Sequence, residues 1–474
     1  MDEAKRLVKN TGIIAVGGMA TKLVQFFLLP LYTSVLSTAE YGTVDYINTI
    51  AVFLVPVVSL LMDEALFRYL IDCRGDGERT RVITCACAAM LLGCVGFSLL
   101  ALIMWAIFKP GNLVWVVALV MAQALIQMTS AILRGSGDTI SYAVMNFVSS
   151  VTTIGLNILF IAVLRLGVVG MITASIAAQG GTAIIFLIRK RVWNYLDFSQ
   201  FNRPCAVSMI KYSIPLIPNK VSWTIMNMVD RLIIMNVLGA GPAGIYAISY
   251  KFPDVMDTVY GFFYQSWKES SARALNSEEN ESVFYNAVYQ ILRRFMAAMV
   301  LVMTALMPIV YWVLIDSDYR EGLLYVPILL LATYYSNISG FYGGIFTAHR
   351  DTGIMGTTTL ASALLCLVLC VVLIPSIGLW GASISTLASL FMVNEYRRIK
   401  VRQYARLDNN LRGRLIALAA LVVVFGLYYA YCFTGVTICL FLCISTAFAY
   451  AIPANWSVIK RLLKMLKSVF EDRG

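Results

Sequence analysis

Lysine, arginine and aspartate residues stand in this chain at places where an apolar sequence should hold none. The charges read as lying deep inside hydrophobic segments are Lys22 in the first and Lys220, Asp230 and Arg231 in the seventh. Lys251, Asp254 and Asp257 lie in the eighth, and Asp63, Glu64 and Arg68 close the second. The other hydrophobic segments read as free of internal charge. A charge in a bilayer core costs at least ~2.5–3.5 kcal/mol, so it persists only where it faces protein or a wet cavity. Lys220 and Arg231 are three helical turns apart on one face, about 16 Å along the axis, with Thr224 and Asn227 between them on a similar bearing. If Lys22, Lys220, Arg231 and Lys251 line a common cavity, with Arg68 at its cytoplasmic end, phosphate or pyrophosphate is the best-matched ligand. Arg grips it as a fork and Lys as a point charge. The competing reading is a structural lock, in which these cations pair with Asp230, Asp254 and Asp257, Lys251 with Asp254 at i,i+3. Glu64 and Arg68, at i,i+4, suit a solvated pair as well as a role in substrate entry.

Tyr246, Tyr250, Asp257 and Tyr264 fall within roughly one face of the eighth segment. Rings and acids together suit sugar contact, although Tyr is also enriched at membrane interfaces. Asp230, Asp254 and Asp257 are candidates for ion coupling by proton or sodium. Burial raises a carboxyl pKa and a neighbouring cation lowers it, and the sequence leaves that balance open. His349, the single histidine, reads as a solvated loop residue.

The elements that position these residues are membrane helices. The chain is 59% hydrophobic and 13% charged, with mean hydropathy +0.77, outside the range of soluble globular domains. A span needs roughly 20 apolar residues. Fourteen candidate helices centre near residues 22, 53, 94, 123, 152, 178, 225, 255, 303, 335, 364, 387, 423 and 445. Lys and Arg crowd into alternate loops and both tails, leaving Lys109, Arg165 and Arg320 on the other side. That bias predicts both termini in the cytoplasm and makes the net charge of +11 a topology signal rather than a sign of nucleic-acid binding. The tail VIKRLLKMLKSVFEDRG reads as a basic amphipathic helix lying against anionic lipid. No cleavable signal peptide is expected. The ten cysteines have no histidine near them and read as small packing residues, so neither a metal nor a cofactor is expected.

The chain also repeats itself. LSTAEYGTVDY at 36–46 resembles LGAGPAGIYAI at 238–248, aligning Gly42 with Gly244. LGVVGMITASIAAQ at 166–179 resembles IGLWGASISTLASL at 377–390, aligning Gly170 with Gly381. RGSGDT from Arg134 resembles RDTG from Arg350. Six spans separate equivalent points, so the repeats run parallel through the membrane. The predicted division is an N-lobe at 1–188, a basic cytoplasmic linker at 189–211, a C-lobe at 212–400, and at 401–474 a loop, two unrepeated spans and the tail. Pro30, Pro56, Pro215, Pro218 and Pro253 fall on the charge-bearing segments and predict bendable helices there.

LYTSVLSTAEYGTVDYINTI followed by MVDRLIIMNVLGAGPAGIYAISYKF, with its Asp230–Arg231 pair, resembles the lipid-linked oligosaccharide flippases of the multidrug/oligosaccharidyl-lipid/polysaccharide exporter superfamily. The resemblance extends over essentially the whole chain. It implies an all-α membrane protein: two six-helix lobes around a V-shaped central cavity, plus two extra helices. It also implies movement of an undecaprenyl-pyrophosphate-linked sugar unit from the cytoplasmic to the outer leaflet of a bacterial plasma membrane, for surface polysaccharide synthesis. In the related peptidoglycan-precursor flippases cavity cations serve transport, and Lys22, Arg68 and Arg231 occupy comparable places. A peptidoglycan-precursor flippase is therefore the close alternative. A multidrug exporter of the superfamily would have twelve spans and an acidic or neutral cavity. A membrane glycosyltransferase, ligase or polymerase would need a larger exposed loop or domain and a nucleophile–base pair, and none is visible. A scaffold would not need charges at matched repeat positions.

Overall fold

A computed structural model describes residues 28–73, 75–274, 281–349, 351, 353–407, 411–456 and 460, except for the side chains at 219, 223, 226, 227, 269, 272 and 273. Lys22 and the first predicted span lie outside the described residues, as do Arg350 and nearly all of the basic tail. The described residues form helices and no strands. Nine of the helices are long and apolar enough to cross a membrane, and a bent pair at Ser317–Leu324 and Val326–Ala348 makes up to ten. The chain divides into two compact units, Met1–Ala247 and Ile248–Gly474.

The first unit starts with α1 (Leu29–Val35) and α2 (Thr38–Val58). A capping box begins α2: Ser37 Oγ accepts from Glu40 N–H, and Glu40 Oε2 accepts from Ser37 N–H. Two of the orphan donors at the helix start are satisfied in this way. The second predicted span is not one helix. It breaks after Val58 and resumes as α3 (Met62–Asp72), with Leu60 and Leu61 both in the left-handed region. Pro56, in the last turn of α2, lacks the N–H that would bond the Val52 carbonyl, although the ladder runs on to Ser59, whose N–H donates to the Val55 carbonyl. The bend expected from proline is seen here. It is not seen at Pro253, which lies inside an uninterrupted helix.

Then follow α4 (Asp76–Phe108), α5 (Leu113–Gly135), α6 (Thr139–Asn157, ending in a π turn) and α7 (Gly167–Arg189). The segment after α7 is packed rather than loose. Tyr195 O accepts from Thr84 Oγ1, and Val192 and Met209 join a core with Met62, Leu66, Ile83 and Ile132. Met209 lies in α8 (Arg203–Ser213), which Asn202 caps by accepting from Cys205 N–H. After a break at Ile214–Pro215, α9 (Leu216–Val237) packs on α2.

Ala240–Ala274 form α10, a helix that runs through the division between the units. The second unit continues with α11 (Glu281–Leu314), α12 (Val326–Ala348), α13 (Gly353–Ile377), α14 (Leu379–Lys400), α15 (Leu411–Thr434) and α16 (Thr437–Ala454). The α12, α13 and α14 helices pack closely, while α15 and α16 pack on each other and on α11. Small and hydroxylated residues make this possible: Gly381, Ala382, Ser385, Thr386 and Ser389 form the buried face of α14. Tight packing of this kind replaces the hydrophobic effect inside a bilayer. Large apolar side chains point outward instead, among them Leu92, Leu100 and Phe108 on α4 and Val368 and Val372 on α13. Such a surface needs lipid around it. All ten cysteines are free.

The aligned glycines of the two repeats have matching surroundings. A Cβ on Gly170 would press on the Phe160 carbonyl at 3.1 Å, and one on Gly381 would meet the Leu373 carbonyl at 2.3 Å. In both repeats glycine allows a helix start to close on the end of the preceding helix.

Candidate functional site

The site is built from α9 outward, within the first unit. Asp230 and Arg231 are adjacent in sequence and so point about 100° apart around the helix. Arg231 reaches α2, where its Nη1 meets Asp45 Oδ1 at 3.3 Å; the two side chains are 13% and 12% exposed. Asp230 is buried and turns toward the start of α10, where its Oδ2 accepts from the Tyr246 hydroxyl at 2.7 Å. Its Oδ1 accepts from the Arg231 N–H at 2.8 Å. This Asp-Arg pair therefore ties α9 to two other helices at once.

Those two helices are themselves joined. A Cβ on Gly42 would lie 2.0 Å from the Ala240 carbonyl oxygen, and one on Gly244 would lie 1.9 Å from the Thr38 carbonyl oxygen. The contact is reciprocal, with residues aligned by the repeat exchanging roles across it. No side chain fits at either position. The helix starts of α2 and α10 thus meet backbone to backbone, and Asp45 and Tyr246 leave this seam to meet the α9 pair.

Lys220 sits three turns earlier on α9. It is exposed and forms no ion pair among the described residues. Asp63, in the first turn of α3, is close enough to feel its charge. The Asp63 Oδ1 is buried without a hydrogen-bond partner among the described residues. Thr224, on the same stripe, is buried and donates to the Lys220 carbonyl; the Asn227 side chain and Lys22 lie outside the described residues.

Arg68 is half-exposed and pairs with Asp72 at 2.6 Å, one turn after it, rather than with Glu64 one turn before. The i,i+3 pair expected between Lys251 and Asp254 does not form; Lys251 makes no ion pair among the described residues. Tyr246 is fully buried and its hydroxyl is committed to Asp230. Asp230 is equally committed, between Tyr246 and a backbone N–H. Tyr250 is partly buried and Asp257 exposed. Tyr264 is partly exposed, stacks on Tyr260 at 5.7 Å, and lies under Lys268 Nζ at 5.0 Å.

Three charges escaped the reading of the segments. Asp45 lies inside the second span and was detectable as a carboxylate one turn after Gly42. Arg397, within the basic run of α14, reads as a loop residue. It is instead buried, donating to Thr358 Oγ1, Thr359 Oγ1 and the Ser339 and Met355 carbonyls. Its spacing from Asn394 on one helix face was the available signal. Arg293 on α11 is likewise buried.

A family model described as polysaccharide biosynthesis protein matches residues 7–267, more than half of the chain and the whole of the α2–α9–α10 cluster. The chain belongs to the polysaccharide biosynthesis protein family. No curated protein is similar enough in sequence to be matched to it. Among solved structures, an inward-facing multidrug resistance MATE family transporter of the MOP superfamily superposes with a TM-score of 0.66 at 13% identity. That match covers 82% of this chain and 98% of the other. A MOP superfamily transporter from Pyrococcus furiosus gives 0.58 at 14% identity, over 84% and 94%. A Vibrio cholerae MATE transporter gives 0.55 at 15%, over 86% and 98%. The fold is similar to that of these MOP superfamily transporters, and the helices long and apolar enough to cross a membrane fit a multi-pass membrane protein of the polysaccharide biosynthesis family.

Proposed function

We propose that the protein flips an undecaprenyl-pyrophosphate-linked oligosaccharide from the cytoplasmic to the outer leaflet of a bacterial plasma membrane by alternating access. The product would supply surface polysaccharide synthesis, and both termini would be cytoplasmic. The observation that carries this reading is Lys220. It is an exposed cation on α9, the seventh span expected from the sequence, without an ion-pair partner among the described residues, on the face that also carries Arg231. A cation at such a position is kept where it faces protein or a wet cavity; Asp63 offsets only part of its charge at longer range, and a diphosphate joined to a lipid is an anion that a polysaccharide pathway supplies.

Arg231 has a different role here. With Asp45 beside it, its fork is oriented and partly neutralised, so it holds the helices around the anion and adds attraction at longer range. Lys22 and Lys251 complete the proposed set of substrate cations, with Arg68 at an entry. Tyr250 and Tyr264 are the remaining proposed sugar contacts, and Asp254 and Asp257 the remaining coupling carboxylates for a proton or sodium.

The test is complementation in a strain lacking its own flippase, together with a leaflet-resolved assay using labelled lipid-linked sugars. Lys220→Ala is expected to lower transport at least about tenfold, the loss from one charge-assisted hydrogen bond, at unchanged membrane abundance. Lys220→Arg is expected to retain most of it. Full activity of Lys220→Ala would end the anion-site reading.

A further inference from the structure

The second unit holds a cavity of about 320 Å³ between α11, α12, α14 and α15, lined by Arg293, Arg398 and Arg414 and a single carboxylate, Glu395. Arg398 pairs with Glu395. Arg414, in the first turn of α15, lies beside Tyr289 in the cavity lining. Arg293 is only 5% exposed; its Nη2 donates to Gln290 Oε1 at 3.2 Å, yet its Nε has no hydrogen-bond partner among the described residues. The Arg398 Nε is also buried and without a hydrogen-bond partner among them. Buried guanidinium donors left open are costly, so two of them in the lining of one cavity point to an anionic guest. Arginine's planar fork suits phosphate oxygens.

The outer wall identifies the guest. Leu415 and Leu418 of α15 line the cavity and are also 57% and 58% exposed on the apolar surface. The cavity thus adjoins the region that acyl chains must cover, while Arg398 and Arg414 lie at the basic ends of α14 and α15 and Arg293 faces them from α11. We propose that this cavity is a binding site for the phosphate headgroup of an anionic membrane phospholipid, with the acyl chains along α15. The α15–α16 pair has no counterpart in the repeat, so the site occurs once per chain. It does not depend on the transported substrate, and none of its residues belongs to the α9 cluster.

The experiment uses the full-length protein, first in phosphatidylcholine nanodiscs and then with phosphatidylglycerol added. Thermal stability and retention of lipid in native mass spectrometry are read for each. One phosphatidylglycerol per chain and a raised melting temperature are expected. Phosphatidylcholine and inorganic phosphate should give neither. Arg414→Gln and Arg293→Gln should each bind phosphatidylglycerol about tenfold more weakly, while Arg402→Gln, at an exposed arginine outside the cavity, should bind normally. Arg414→Gln keeps the test decisive if Arg293→Gln misfolds. Equal retention of phosphatidylcholine, an equal shift with inorganic phosphate alone, or wild-type binding by Arg414→Gln would each overturn the proposal. So would an equal loss in Arg402→Gln, because the effect would then be one of general surface charge.

Discussion

At Asp230 and Arg231 one dipeptide carries out two different tasks, and mutation separates them. Replacing Arg231 by Ala leaves Asp45 as a half-buried carboxylate without its cation. Breaking a fully buried pair costs roughly 3–5 kcal/mol, and partial exposure brings this to about 2–3 kcal/mol here. The Asp45→Ala/Arg231→Ala double variant should lose less stability than the two single changes combined, a coupling read by thermal unfolding in a double-mutant cycle. Tyr246→Phe should cost about 1–3 kcal/mol, because Asp230 then loses a buried donor. A variant as stable as wild type would show that water can replace the hydroxyl. The Asp-Arg dipeptide was visible in the sequence, but its partners were not. Asp45 and Tyr246 lie far from it along the chain, and only the packing of α2 and α10 against α9 brings them together. The i,i+3 and i,i+4 rules pointed instead to Lys251–Asp254 and Glu64–Arg68, local pairs that side-chain direction does not favour in this fold.

At the scale of elements, glycine and proline mark where helices touch and where they stop. Gly42→Ala and Gly244→Ala should each destabilise by about 1–3 kcal/mol or more, because the added carbon meets a backbone carbonyl that has nowhere to move. Gly155→Ala, on α6, meets nothing within 4 Å and should be neutral or stabilising by up to about 1 kcal/mol. Equal melting temperatures for all three variants would contradict the close approach. The α6 helix offers a second test at its start. Asp138 accepts from Ser141 N–H as the cap and from Lys190 Nζ at 2.6 Å. Burial raises its pKa, but these two partners outweigh it and the net shift is downward. A depressed carboxylate stabilises the fold at pH values above its ordinary range, and that contribution is lost as pH falls below that range and through the depressed pKa. Asp138→Asn should keep the cap, lose the exposed ion pair worth about 0.2–1 kcal/mol, and flatten the acid limb of the stability curve. Asp138→Ala should cost about 1 kcal/mol more. The helices themselves were legible from hydropathy: each predicted span among the described residues is helical. The break at Leu60–Leu61 was not, because two leucines in left-handed geometry carry no sequence signature. Only Pro56 hinted at it, and Pro253 gave the same hint where no break occurs.

Among the described residues, many large apolar side chains face outward, and small and hydroxylated ones line the close helix contacts of α14, beside buried rings such as Phe341 and Tyr342, an arrangement that suits a bilayer solvent. The long helices α4, α10 and α11 have 33, 35 and 34 residues, or about 50 Å each. They exceed the ~30 Å hydrocarbon layer, so their polar ends must stand in water. Helices of this length also explain why Arg293, read as a loop cation, lies within a helix. The glycines that the two repeated segments align, Gly42 with Gly244 and Gly170 with Gly381, lie where backbones meet, which is why they stood out in the sequence. The mutual fit of Gly42 and Gly244 has a mechanical consequence. Each glycine lies against a carbonyl of the other helix, so neither half of the contact can open while the other stays shut. The joint behaves as a clasp that is fastened or released as a unit, with few arrangements in between. Release would also slacken the grip of Asp45 and Tyr246 on α9, so a change at this clasp would reach Arg231 without any ligand touching it.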